Sequence, residues 1–250
     1  VVHGDYRRWA NPQTLHAVTN YECYKGLYSS LVDKNYFEIA YALNRQFGPQ
    51  GIYSGLPLYN FADNHDVNRV ASQLTNPAQL HPLYLLLFTM PGVPSIYYGS
   101  EWGWEGKRTP QDDAALRPVF GPETFRRLAP HPALAAAISR LAAIRHALPA
   151  LRQGSYIQLQ TAHEQLAFAR QTENETVVVL LNAAAQPATL EVPIRGPFTS
   201  AVDVLNGNEN FPIRAGKLHC ETIHPHWGRI LKLSNEPGPR PLDQVKTPPY

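Results

Sequence analysis

Strand, loop and helix signals follow one another through the first 150 residues, and this order is the strongest constraint on the fold. Short apolar runs that read as strands lie at residues 58–61 and 95–98, while helical patterns lie at residues 35–47, 76–87 and 132–148. Repeated strand–loop–helix order is typical of parallel β/α units, which close into a barrel or form a doubly wound sheet. The first part of the chain is therefore predicted to be α/β.

From Gly154 the pattern changes to short strands without helices. Apolar runs recur at residues 156–159, 166–169, 177–180, 190–192 and 229–233, separated by polar turns such as residues 171–175 and Asn206-Gly207. Such spacing is typical of an antiparallel β-sandwich. We predict three regions: an α/β domain at 1–152, a β-sandwich at 153–234 and a Pro-rich, disordered tail at 235–250.

Composition excludes several classes of protein. The formal charge is only +2 and no basic stripe is present, which argues against a nucleic-acid partner. The longest apolar stretch, residues 83–98, is interrupted by two prolines and a glycine, so it is not a membrane span. Cys23 and Cys220 are the two cysteines, without zinc-ligand spacing, and they favour a cytoplasmic location. Because the chain starts at Val1 without a signal peptide, we expect its N-terminus to be cut.

The densest polar cluster comes directly after a predicted strand. It runs from Asp63 to Arg69, and in β/α folds the carboxyl ends of the strands carry the active site. Aromatic side chains nearby in such a mouth suit a sugar, whose C–H faces stack on rings. Spacing alone pairs Asp66 with Glu101 as the two carboxylates of a glycosidase. The alternative is that Asp63 and Asn64 are ordinary turn residues and that Glu101 caps a helix or orients an arginine.

Three segments resemble conserved parts of the α-amylase family, glycoside hydrolase family 13. Residues 59–66, Tyr-Asn-Phe-Ala-Asp-Asn-His-Asp, resemble its fourth conserved segment, and residues 90–101 resemble its eighth barrel strand. Residues 141–154 are similar to its last barrel helix and the junction with its C-terminal β domain. The resemblance implies the C-terminal half, strands 5 to 8, of a (β/α)8 TIM barrel, followed by an all-β antiparallel sandwich.

The resemblance also implies roles for individual residues. Asp66 matches the family's transition-state stabiliser, and His65 matches the histidine that binds the same sugar. Asn64 and Arg69 are expected to support them, and the expected substrate-binding set is His65, Asn64, Arg69, Tyr59 and Trp102. The residue matching Glu101 is not the family's acid, so the pairing suggested by spacing is withdrawn.

Two catalytic segments of the family have no match in these 250 residues. The nucleophile is an Asp in an Arg-x-Asp context after strand 4, and the general acid is a Glu after strand 5. Residues 1–6 resemble the family's sequence immediately C-terminal to that Glu. The isolated chain is therefore predicted to be inactive and to need the N-terminal half of the barrel as its partner. The family's calcium site also lies outside this segment, so no cofactor is expected.

The leading hypothesis is a portion of a retaining glycoside hydrolase that acts on α-1,4-linked glucans or maltooligosaccharides. A transglycosylase or a trehalose-synthase-type isomerase of the same family would share the catalytic residues. A non-catalytic remnant, retained for sugar binding or assembly, is the alternative from another functional class. These hypotheses differ in whether upstream sequence supplies the Asp and the Glu.

Overall fold

The structure, a computed structural model, describes residues 5–236. Residues 1–4, the start of the segment that resembles the family's sequence after its general acid, and the tail from residue 237 lie outside the described residues. Within the described part the chain divides into a mixed α/β region and an all-antiparallel β region. None of the helices found between residues 5 and 236 has the length and apolarity that a bilayer crossing requires.

The α/β region is organised around short parallel strands. β1 (Tyr59–Phe61) pairs in parallel with β2 (Val93–Ser95), with Tyr59 opposite Val93. On the other side of β1, residues 18–20 run parallel to it: the Tyr59 amide donates to the Val18 carbonyl, and the Asn20 amide donates to the Tyr59 carbonyl. Three chain segments therefore end at one edge, as the strand at 58–61 and the β/α order predict.

Helices connect and cover these strands: α1 (Tyr21–Val32), α2 (Phe37–Phe47), α3 (Leu80–Thr89), α4 (Pro122–Arg127), α5 (Leu134–Ala147) and α6 (Pro149–Gln153). The helix predicted from Asn76 is present, and it opens as a 3-10 turn, Pro77–Gln79. Asn76 and Gln79 form a capping box there. The Asn76 side chain accepts a hydrogen bond from the Ala78 amide, and the Gln79 side chain accepts one from the Asn76 amide. Pro77 fits this first turn because it has no amide hydrogen to leave unpaired.

The second predicted strand is displaced in the structure. β2 covers Val93–Ser95, whereas Tyr97 and Tyr98 lie in a turn. The centroids of their rings are 4.7 Å apart, and the guanidinium of Arg69 lies over both rings. The prediction of a strand over residues 95–98 is therefore wrong, because this tertiary contact outweighs the β-propensity of the aromatic residues.

The β region is one hydrogen-bonded antiparallel sheet of eight strands. They are β3 (Ser155–Thr161), β4 (Gln165–Gln171), β5 (Thr176–Asn182), β6 (Ala188–Pro193), β7 (Ser200–Asp203), β8 (Glu209–Arg214), β9 (Lys217–Ile223) and β10 (Trp227–Ser234). The spatial order is β3-β4-β5-β10-β7-β8-β9-β6. The sheet folds over on itself, so that Leu190 and Leu218 share a core with Val178 and Leu231. The two layers of the predicted sandwich thus belong to a single continuous sheet.

A second, larger core joins the two regions. Leu27 of α1, Leu86 of α3, Phe168 of β4 and Val179 of β5 all belong to it, and each is buried. Arg170 on β4 is also buried and donates to carbonyls of the α/β region. The two regions therefore share one apolar interior.

Candidate functional site

The polar segment after β1 lies at the carboxyl edge of the parallel strands. Residues 62–69 leave β1 there, and the turn of residues 96–104 leaves β2 beside them. Hydrogen bonds of Ser100 with Asp63 and Arg69 join these two segments, and all three residues are buried. This is the edge at which β/α proteins place their ligand sites.

Asp63 fixes the base of the segment. Its buried carboxylate accepts hydrogen bonds from the Val70 amide at 2.9 Å and from the Ser100 hydroxyl at 2.8–2.9 Å. Burial raises the pKa of the Asp63 carboxyl above its ordinary value, although these hydrogen bonds and the charge of Arg69 oppose the rise. Its geometry is that of a structural carboxylate, in line with its interpretation as a turn residue.

Asn64, His65 and Asp66 form the exposed tip of the segment. The Asn64 side-chain oxygen accepts a hydrogen bond from the Asp66 amide at 2.8 Å, which makes a compact Asx turn. Nε2 of His65 lies 3.3 Å from Oδ1 of Asp66, and both side chains are more than half exposed, at 60% and 54%. The structure therefore brings together the three residues predicted by the motif and presents an imidazole and a carboxylate to solvent.

Arg117 approaches this tip from the loop after β2. Its guanidinium donates to the His65 carbonyl at 3.2–3.3 Å and lies 3.7 Å from the Asp66 carboxylate. It also forms a closer ion pair with Asp113, at 2.7 Å. A cation thus borders the exposed carboxylate on one side.

Arg69 lies under the tip and is completely buried. Its guanidinium donates to the Tyr98 carbonyl at 2.6 Å, to the Ser100 hydroxyl at 3.2 Å and to the Leu116 carbonyl at 2.9 Å. It also lies 4.5 Å from the centre of the Tyr97 ring. Burial, together with a hydrogen bond to Tyr98, raises the pKa of Tyr97 to about 12. Arg69 therefore joins the two segments from inside.

The remaining predicted residues lie on β1 and in the turn after β2. Tyr59 is 42% exposed on β1, and its hydroxyl is hydrogen-bonded to that of Ser95. Trp102 is half-buried in the turn after β2, and its carbonyl accepts a hydrogen bond from the His131 amide. Glu101 is also half-buried, and its negative charge contributes to the raised pKa of Asp63.

Three residues that contact the site are not among the predicted site residues. Ser100 binds Asp63, Arg117 binds His65, and the Tyr21 hydroxyl accepts a hydrogen bond from the Asn64 amide at 3.3 Å. Their contacts span 37, 52 and 43 residues of the chain, respectively. Ser100 follows the predicted strand at residues 95–98, and Tyr21 follows the apolar run Ala17-Val18, the position at which a β/α unit places functional residues; Arg117 has no such local signal.

The geometry of the tip suits recognition of a neutral polyhydroxyl ligand. An ionised carboxylate accepts hydrogen bonds from hydroxyl groups, and its charge also stabilises a developing positive charge. Between residues 5 and 236, the structure contains no group of three or more His, Cys, Asp or Glu side chains placed to hold a metal ion.

Comparison with known families matches most of the described chain, from residue 30 onward. The α-amylase catalytic domain matches residues 30–152, and the maltogenic amylase C-terminal domain matches residues 156–230. The first match includes the tip at residues 64–66 and both of its neighbouring segments. The second match covers most of the antiparallel β region.

Individual relatives agree with these matches. A cyclomaltodextrinase of Geobacillus thermopakistaniensis is 29% identical over 69% of this chain and 28% of its own length. A cyclomaltodextrin glucanotransferase of Niallia circulans is 30% identical over 71% of this chain and 26% of its own length. The crystal structure of an α-amylase from Geobacillus thermoleovorans, complexed with acarbose, superposes with a TM-score of 0.76 at 19% identity, covering 93% of this chain and 52% of that one.

The chain thus spans less than a third of the length of these curated relatives. Within that span, the family matches, the two relatives and the shared fold agree. The chain belongs to the α-amylase family, glycoside hydrolase family 13.

Proposed function

We propose that this chain is the C-terminal portion of a retaining enzyme that hydrolyses α-1,4-glucosidic bonds in α-glucans or maltooligosaccharides. The observation that carries the proposal is the pair His65 and Asp66. They lie side by side, 3.3 Å apart and exposed, at the carboxyl edge of the strands, within a segment that matches the α-amylase catalytic domain. A carboxylate at this position can stabilise the oxocarbenium-like transition state of glycoside cleavage.

In this proposal residues 1–152 form strands 5 to 8 of a (β/α)8 barrel, and residues 153–234 form a separate β domain. The segment at 18–20, β1 and β2 are then three consecutive barrel strands, since they are parallel and adjacent in that order. Strands 1 to 4 come from polypeptide outside these 250 residues, and this N-terminal half of the barrel is the required partner.

Each site residue has a role that fits its environment. Asp66 stabilises positive charge on the sugar, and His65 donates a hydrogen bond to a sugar hydroxyl. Asn64 and the buried Arg69 position the turn, because the Asn64 carboxamide and both terminal nitrogens of Arg69 are hydrogen-bonded within the protein. Tyr59 and Trp102 offer aromatic faces on which sugar rings can stack.

The nucleophile and the general acid must come from the upstream half. A retaining glycosidase needs two carboxylates about 5 Å apart across the scissile bond, in addition to groups that stabilise charge. Asp66 alone provides only the charge-stabilising function. The isolated chain is therefore expected to lack measurable turnover, whereas the complete barrel is expected to be active.

The experiment that tests this proposal replaces Asp66 with Asn in the complete protein. Asp66→Asn removes the charge and hardly changes the volume, so we expect turnover of a maltooligosaccharide to fall by about a thousandfold while the fold persists. Turnover is measured by sugar release and folding by circular dichroism. Glu173→Gln, in the exposed β4–β5 loop, is the matched control. Turnover near the parental value in Asp66→Asn would refute the assignment.

Glucosyl transfer is the second candidate, since the relatives include a cyclomaltodextrin glucanotransferase as well as a cyclomaltodextrinase. Both reactions use the same charge-stabilising carboxylate and differ in whether water or a sugar hydroxyl attacks the intermediate. Product analysis with maltose distinguishes them. Glucose alone indicates hydrolysis, longer oligosaccharides indicate transfer, and trehalose indicates isomerisation.

A further inference from the structure

Tyr21 lies at the same edge of the molecule as the exposed tip, although it is distant from that tip in sequence. It is the first residue of α1 and directly follows Asn20, whose amide donates to the Tyr59 carbonyl in the neighbouring strand. Parallel strands end at a common edge, so this register places Tyr21 beside the segment that leaves β1. Its side chain is 40% exposed there.

A chain of two hydrogen bonds connects Tyr21 to Asp66. The Asn64 side-chain amide donates to the Tyr21 hydroxyl at 3.3 Å, and the Asn64 side-chain oxygen accepts from the Asp66 amide at 2.8 Å. Both ends of the Asn64 carboxamide are therefore engaged. The Asp66 amide can only donate, so it holds the carboxamide oxygen on its own side and leaves the NH2 group facing the Tyr21 hydroxyl.

The ring of Tyr21 is itself held firmly. It packs edge-on against Phe61, with centroids 5.0 Å apart, and against Tyr24, with centroids 6.1 Å apart. Tyr24 in turn stacks on Phe61 at 4.9 Å with nearly parallel planes. Three aromatic rings thus fix the location of the hydroxyl that orients Asn64.

We propose that Tyr21 is a positioning residue for Asp66 that acts through Asn64. This inference rests on the proposed function, in which Asp66 stabilises charge on the sugar. Arg117 holds the opposite side of the turn through the His65 carbonyl, so the tip is fixed from two sides. Removal of the Tyr21 hydroxyl leaves the Asn64 carboxamide held at its oxygen alone, which loosens the turn at Asp66.

The test is Tyr21→Phe in the complete protein, because Phe keeps the ring packing and removes only the hydroxyl. Amide hydrogen exchange at Asp66, followed by NMR, is expected to become about fivefold faster, the effect of one neutral hydrogen bond. The kcat for maltotriose is expected to fall by about the same factor with KM within about twofold, since geometry is lost at a charge-stabilising group rather than in ground-state binding. Tyr41→Phe, on the exposed face of α2, is the matched control.

Exchange at Asp66 that matches the Tyr41→Phe control would overturn the inference. So would faster exchange with kcat unchanged, because the link would then have no consequence for catalysis. The two proposals fail in different ways. A parent protein without turnover refutes the proposed function, whereas the exchange rates of parent and variant still decide whether Tyr21 holds Asp66.

Discussion

Two aspartates only three residues apart have opposite environments at this site. Asp63 is buried and accepts hydrogen bonds from Val70 and Ser100, whereas Asp66 is more than half exposed. The first joins the segments that leave β1 and β2, and the second is left free to meet a ligand. Rigidity and access are thus divided between two residues of the same type.

Replacing Ser100 with Ala tests the structural half of this division. Asp63 would lose a donor that contacts both of its carboxylate oxygens, so we expect the free energy of unfolding to fall by about 1–3 kcal/mol at neutral pH. Urea unfolding monitored by circular dichroism measures the loss. Ser54→Ala, at an exposed serine in a loop before β1, is expected to be neutral.

The effect of Ser100→Ala is expected to shrink as the pH falls. Burial raises the pKa of folded Asp63 above its unfolded value, so protons bind the folded state more tightly and acid favours folding at this residue. The loss of stability caused by the buried Asp63 charge therefore grows as the pH rises through the pKa of Asp63 in the unfolded chain and then through its pKa in the folded protein. A loss of stability that is equal at pH 4.5 and pH 7 would contradict the assignment of this burial penalty to Asp63.

Sequence reasoning predicts the tip of the candidate site and two of its supporting residues, Asn64 and Arg69, but not the other residues that contact it. His65 and Asp66 follow from the strand–turn pattern and the motif, because both are local in sequence. Ser100, Arg117 and Tyr21 reach the site through contacts that span 37 to 52 residues, and no local periodicity reports such distances. The complete burial of Arg69 is likewise a tertiary fact, since an arginine in a polar turn favours solvent.

At the scale of elements, α1 shows why a helix can escape sequence analysis. Its interior contains Gly26, and a glycine within a helical pattern lowers the helical signal. In the structure this glycine is buried against α2, where a Cβ atom would lie 2.9 Å from Cδ1 and 3.1 Å from Cα of Ile39. The residue that weakens the helix locally therefore allows the two helices to approach closely.

Gly26→Ala is expected to destabilise the protein although alanine favours helix formation. The added methyl group overlaps both the side chain and the backbone of Ile39, and overpacking of this kind costs about 1–3 kcal/mol, which exceeds the gain in helix propensity. Thermal unfolding measures the net effect. Gly121→Ala is the control, since no neighbouring atom lies within 4 Å of the position that its Cβ would take. Stabilisation by Gly26→Ala would show that α1 and α2 can move apart freely.

Arg170 joins elements of the two regions by satisfying the carbonyls at the ends of two helices. From β4 its guanidinium donates to the carbonyls of Thr89 at the end of α3, Leu151 in α6 and Gly154 after α6. Burial lowers the pKa of Arg170 to about 9, so it remains charged at neutral pH. A single side chain thereby supplies partners that the helix termini lack.

Arg170→Met is expected to lower the free energy of unfolding by about 3 kcal/mol, because buried carbonyls lose their donors while the packing volume is largely kept. Chemical denaturation followed by tryptophan fluorescence measures the change. Arg195→Met replaces an exposed arginine of the β region and is expected to cost little. Equal effects of the two substitutions would show that the Arg170 hydrogen bonds contribute nothing to stability.

At the scale of the whole molecule, one apolar core crosses the predicted domain boundary. Leu86 of α3 and Phe168 of β4 belong to the same buried cluster, and Arg170 connects the same regions by hydrogen bonds. The pattern of apolar residues predicts the buried face of each helix and strand separately. It does not show that helices of the α/β region pack against strands of the β region. We therefore expect the α/β and β regions to unfold together rather than as independent units.

The parallel strands leave an exposed apolar surface on β1 and β2. Tyr59 and Val93 are paired in register and are 42% and 46% exposed. Within residues 5–236, β2 has a strand partner only on the side of β1. An unpaired edge beside an apolar face is a template for association, and in a closed barrel both would be covered.

The 250-residue chain is therefore expected to self-associate when it is produced alone, and Val93→Lys is expected to suppress this association. A lysine on the edge strand opposes strand addition through its charge and its hydration. Sedimentation velocity over a range of concentrations measures the oligomers. Val119→Lys is the matched control, because Val119 is 95% exposed in the loop after β2 but lies outside the strand. If the parent chain stays monomeric at every concentration, or if both lysines have equal effects, the free edge of β2 does not drive association. Either result would weaken the case for a missing half-barrel that covers this edge.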